Sequence, residues 1–230
     1  MLNSEQIIDL INSSQWSLFE MQLSHLSNRE FRRVEHTVCE VVLPRLNNDR
    51  FWDALCHLII YNRHAFLAGA RAVGHLAKDG SLSFGASAQQ LATHMKEKEQ
   101  DMCTKIVDIM MPHLTTLQQM EDAFATFGVE SPRSRLAILL KVESPMAYYL
   151  LFQNLKMMDD CKPLAVKCCQ FIMKRQNDMA FNMVCLLKEY FDLDVIASRF
   201  SLQLQPYELN YVDKNYQTFL NVLEGKKPKV

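Results

Sequence analysis

Residues 133–158 read RSRLAILLKVESPMAYYLLFQNLKMM, and the reading of this stretch decides the fold. A membrane-spanning helix needs about 20 consecutive apolar residues. Here Lys141, Glu143 and Pro145 break the apolar run in its middle, so the stretch does not span a bilayer. It holds two helix starts instead. Ser131-Pro132 and Ser144-Pro145 each set a capping side chain before a proline at the first helical position, where the missing N–H costs nothing. A first helix of about 132–142 offers Leu136, Leu139 and Leu140 on one face. A second, of about 145–158, is apolar nearly all round through Tyr148, Tyr149, Leu150, Leu151, Phe152 and Leu155. Such a helix is enclosed by neighbours on several sides.

The same punctuation continues downstream, with a break near Asp160, Pro163 close behind it, and another near Asn177. Leu164, Cys168, Phe171 and Ile172 fall at i, i+4, i+7 and i+8, which predicts one buried stripe. Met179, Met183, Leu186 and Leu187 repeat that stripe. Very short turns leave no room for a crossover, so successive helices lie antiparallel, and starts at 131, 144, 160 and 177 predict a row of helical hairpins.

Upstream, short helices are expected at about 4–13, capped by Ser4, and at about 16–26, with Trp16, Phe19 and Leu23 inward. A longer helix of about 28–46 carries Phe31, Val34, Val38, Val42 and Leu46, and Asn47-Asn48-Asp49 ends it. Residues 49–80 predict a hairpin broken near Asn62. GSLSFGAS, residues 80–87, reads as a flexible connection. Helices of about 87–111 and 115–127 follow, the first with Leu91, Met95, Met102, Ile106, Ile109 and Met110 inward.

ARAVGHLA, residues 70–77, resembles the second-helix signature of HEAT repeats, in which small residues and a glycine let helices approach closely. VLPRL, residues 42–46, is similar to the proline-bearing first helix of that family. The likeness covers a minor part of the chain, and Phe66 stands where the family's arginine would be. The resemblance implies an all-α, HEAT-like α-solenoid built as an irregular array of antiparallel helical hairpins. The alternative is an irregular α-helical bundle. Either way, residues 1–230 are expected to form a single all-helical domain, with 80–87 as the place for a sub-boundary.

Composition agrees with an all-helical chain. The chain has 230 residues, 49% hydrophobic and 22% charged, which is ordinary globular usage. Six Gly and seven Pro are too few for an all-β protein with a turn every ten residues or so. A net charge of −1 supplies no global field to attract nucleic acid or an anionic membrane. Seven cysteines include the vicinal Cys168 and Cys169 but no CxxC, so neither a disulfide framework nor a paired-ligand zinc site is indicated. Glu5 and Asp9 interrupt the apolar run that a signal peptide needs, and a cytoplasmic location is expected.

Chemistry is harder to place. His36 with Glu40, and Asp53 with His57, sit at i, i+4 and can share a helical face, but no HExxH occurs and no Glu stands three residues before a His. If residues 49–78 wound as one helix, His57, His64 and His75 would share its solvated face, opposite Leu55, Leu58, Phe66 and Val73. No metal ligand and no cofactor is assigned. No GxSxG or Gly-rich phosphate loop appears, and Cys39, Cys56, Cys103, Cys168 and Cys185 occupy positions where a small hydrophobe serves, so no catalytic residue is assigned.

Arg29, Arg32 and Arg33, and the tail residues Lys226, Lys227 and Lys229, lack interleaved aromatics and read as solvated. Tyr207, Tyr211, Tyr216 and Phe219 form a C-terminal segment that caps the last hairpin or, alternatively, anchors a partner. The expected function is non-catalytic, a protein–protein interaction or scaffold module on a helical-repeat surface. The alternative is a HEAT-like nucleic-acid-binding protein or DNA-repair enzyme with a site assembled from non-local residues. DNA glycosylases built on HEAT-like repeats rely on a basic concave surface, which the near-zero net charge disfavours.

Overall fold

The computed structural model describes residues 3–61, 63–98 and 100–193, and among them every regular element is helical. The chain gathers into two compact units, Met1–Val129 and Glu130–Val230. The first holds α1 (Ser4–Asn12), α2 (Trp16–Ser24), α3 (Asn28–His36), α4 (Asn48–Tyr61), α5 (Arg63–Gly69), α6 (Val73–Asp79), α7 (Ala86–Lys98), α8 (Gln100–Met110) and α9 (Leu117–Thr126). The second holds α10 (Pro132–Leu139), α11 (Pro145–Lys156), α12 (Cys161–Ile172) and α13 (Asp178–Phe191). No helix among the described residues is long and apolar enough to cross a membrane.

Local chemistry explains the starts. Asn3, not Ser4, caps α1: its side chain accepts from the Gln6 N–H at 2.9 Å, and Gln6 accepts from the Asn3 N–H at 3.1 Å. Ser27 with Glu30 and Thr116 with Gln119 form the same reciprocal box at α3 and α9. The expected helix of 28–46 does not wind uniformly. After α3 the backbone opens into a π-helical stretch, Thr37–Val42, and closes with a 3₁₀ turn, Leu43–Arg45. The wider winding turns Val38, Cys39, Val42 and Leu43 inward together.

The 80–87 connection is tied to α4 inside the first unit. Gly80 takes a left-handed φ of 77° that ends α6. Asn48 then accepts from the Ser83 N–H at 2.8 Å and donates to its hydroxyl at 2.9 Å, while the Trp52 indole donates to the Ser83 carbonyl at 2.9 Å. The small residues of 70–77 serve a close approach: a Cβ on Gly74 would lie 3.1 Å from the Cβ of His113.

In the second unit the four helices start where the punctuation predicts, after Ser131, Ser144, Asp160 and Asn177. Ser144 accepts from the Ala147 N–H at 3.1 Å and Asn177 from the Ala180 N–H at 2.8 Å. Asp160 instead turns its carboxylate to Arg133. The apolar α11 is enclosed, touching α10, α12 and α13, with Tyr148, Leu151 and Leu155 fully buried and Leu150 at 6% exposure.

The stripe expected on α12 needs correction. Ala165, Cys168, Cys169 and Ile172 face inward, while Phe171 is 43% exposed. The packed face follows the vicinal cysteines, which rotates Phe171 out. Consecutive helices pair, α10 with α11 and α12 with α13, and the packing within each unit fits an irregular helical bundle. The tyrosines and Phe219 expected to cap the last hairpin, the lysine tail, and the break expected at Asn62 lie outside the described residues.

Candidate functional site

Three arrangements in the first unit bring functional side chains together. One is a groove of 540 Å³ between α7 and α9, lined by Gln89, Thr93, Lys96, Asp122 and Thr126, with Phe84 contributing its ring. Gln89, Thr93 and Lys96 share one face of α7 because they recur at helical spacing, as do Asp122 and Thr126 on α9. Phe84 is held from behind by Trp52 and Phe127, at ring-centroid distances of 5.4 and 6.5 Å. At one side Lys96 lies close to Gly128, whose φ of +66° favours glycine; a Cβ there would come 2.8 Å from the Lys96 ammonium and displace it. The Asp122 carboxylate is steadied by Gln118, whose amide donates to it at 2.8 Å.

The second is a groove of 360 Å³ where α3 opens into its π-helical turn, lined by Arg32, Glu35, His36, Cys39, Glu40 and Ala68. It contains the His36 and Glu40 pair that the spacing singles out, together with one of the basic residues of the 29–33 cluster. Cys39 is no nucleophile there: burial, then the charges of Glu35 and Glu40, push its thiol up to about 12, far from the thiolate that attack requires. Its Sγ donates to the Ala65 carbonyl at 3.4 Å.

The third is the ring of His57, which does not join Asp53. Its Nδ1 meets the carboxylate of Glu20 on α2, and the imidazole stacks on Trp16 at 4.5 Å with an interplanar angle of 11°. His57 is therefore half-buried rather than on a solvated face, while His64 and His75 are exposed. Among the described residues no three of His, Cys, Asp and Glu gather closely enough to share a metal ion.

Cys103, Cys168 and Cys169 are buried thiols that pack in the core. Cys168 and Cys169 are buried and pushed up to about 12 by that burial, and Cys103 is raised by the same cause. His113 is lowered, first by burial against Gly74 and then by Arg71, Lys78 and His75.

In the second unit the notable surface lies where α11 and α13 end. The rings of Phe152 and Tyr190 meet edge to face at 4.7 Å, and the Lys156 ammonium stands 5.6 and 5.5 Å from their centroids. Met157 beside it is 71% exposed and Tyr190 is 55% exposed. Sequence reasoning missed both this surface and the α7–α9 groove. Tyr190 lies outside the stripes used to find helix faces, and Lys96 and Asp122 meet only through the packing of α7 on α9.

Compared with known proteins, the chain matches no protein-family model, no curated protein and no solved structure.

Proposed function

We propose that the chain is a non-catalytic protein-binding module that recognises its partner at the α11–α13 end of the second unit. One observation carries the reading: Met157 and Tyr190 stand exposed around a lysine that already lies over two aromatic rings. Tyrosine and methionine are enriched where proteins meet, and a rigid ring anchors a contact at small entropic cost. Lys156 sets the partner's chemistry, a protein surface whose apolar side chains cover Met157 and Tyr190 while a carboxylate meets the ammonium. The pairing of α10 with α11 and α12 with α13 supports the finer architecture, an array of antiparallel helical hairpins. Free cysteines support a reducing, cytoplasmic setting.

The test is capture from the source cell with the parent chain and with Tyr190→Ser and Met157→Ser, after thermal melting shows all three folded. A protein retained by the parent and lost from both variants supports the reading. Retention by both variants overturns it.

A further inference from the structure

The α7–α9 groove of the first unit carries a separate inference, resting on different residues from the surface just described. Lys96 and Asp122 line the same groove, yet they form no ion pair with each other, and Lys96 has no hydrogen-bond or ion-pair partner among the described residues. Gln118 donates to one oxygen of the Asp122 carboxylate. The Thr93 hydroxyl gives its proton to the Gln89 carbonyl at 3.0 Å, so it faces any ligand as an acceptor. The Phe84 ring, backed by Trp52 and Phe127, supplies an apolar face.

A cation, an anion and an aromatic ring that line one groove match a molecule that carries both charges and a ring. A simple anion would meet Lys96 but be repelled by Asp122, and a simple cation would suffer the reverse. We propose that this groove binds an aromatic α-amino acid, its carboxylate at Lys96, its ammonium at Asp122 and Thr93, and its ring against Phe84.

The experiment titrates the full chain, labelled with nitrogen-15, with L-phenylalanine, and in parallel with phenethylamine and phenylacetate, which each lack one charge. Lys96→Gln and Asp122→Asn, both surface changes expected to leave the fold intact, are titrated alongside. The expected result is saturable amide shifts centred on residues 89–96 and 122–128 with L-phenylalanine. Each single-charge analogue and each variant should bind about fivefold more weakly or worse, the effect of losing one partly exposed ion pair. No shift up to the solubility limit of L-phenylalanine, equal binding of either analogue, or undiminished binding by both variants overturns the proposal.

Discussion

Arg175 Nη1 donates a 2.6 Å hydrogen bond to the hydroxyl of Tyr148, and the same guanidinium reaches the carbonyls of Leu140 and Val142. One side chain from the turn after α12 thus satisfies carbonyls that α10 leaves open at its end and fixes the first turn of α11. These are the groups that a helix terminus cannot pair internally.

Removing that side chain should therefore cost more than an ordinary surface change. Arg175→Met is expected to lower stability by about 2–4 kcal/mol, since it orphans two carbonyls and a buried hydroxyl, and Tyr148→Phe by about 1 kcal/mol. Arg175→Lys should not restore the parent value, because an ammonium lacks the planar fork that reaches three acceptors. Urea unfolding followed by circular dichroism measures all three.

Leu150→Asp and Leu151→Asp should both unfold the second unit or lower its melting temperature severely. Each forces an unpaired carboxylate into the enclosed helix α11, and Leu151, fully buried, should be the worse. If both variants melt like the parent, α11 is not enclosed.

How much of this was legible beforehand follows from what is local. Ser144-Pro145 carries its cap and proline within two residues, and Pro132 marks the start of α10 although Ser131 makes no capping hydrogen bond, so both starts could be read directly. The π-helical turn at Thr37–Val42 could not, because Val34, Val38 and Val42 show an ordinary helical spacing and the widened turn depends on packing against other elements. His57 illustrates the same limit for the site. Its neighbour at i−4 is Asp53, but its partner is Glu20, 37 residues away. Lys96 and Gly128 approach one another only because of how the first unit folds.

Alkaline pH should weaken the fold through its buried thiols. Cys168 and Cys169 ionise near 9.0 when exposed but are pushed up to about 12 by burial. The unfolded chain then loses its protons first, so the stability these groups contribute is full below about pH 9 and is lost as pH rises towards 12. The Cys168→Ala, Cys169→Ala double variant should show a shallower decline across that window in pH-dependent urea unfolding, whatever its stability at neutral pH.

Acid should act through His113 in the opposite sense. Burial and the nearby Arg71 and Lys78 charges hold its imidazole below its ordinary value of 6.5, so it resists protonation in the fold. Its contribution is present above about pH 6.5 and lost as pH falls. His113→Gln should flatten the change in stability just below pH 6.5, measured by melting temperature at fixed ionic strength.

The exposed α11–α13 end of the second unit is proposed as the place where another protein binds. The most direct test of this proposal places a photo-crosslinking amino acid at Met157 and, as a control, at the exposed Lys167 of α12, followed by irradiation in the source cell. The expected result is one defined higher-mass adduct with a different protein from position 157 and none of that mass from position 167. No adduct at position 157, or the same adduct from both positions, would contradict it.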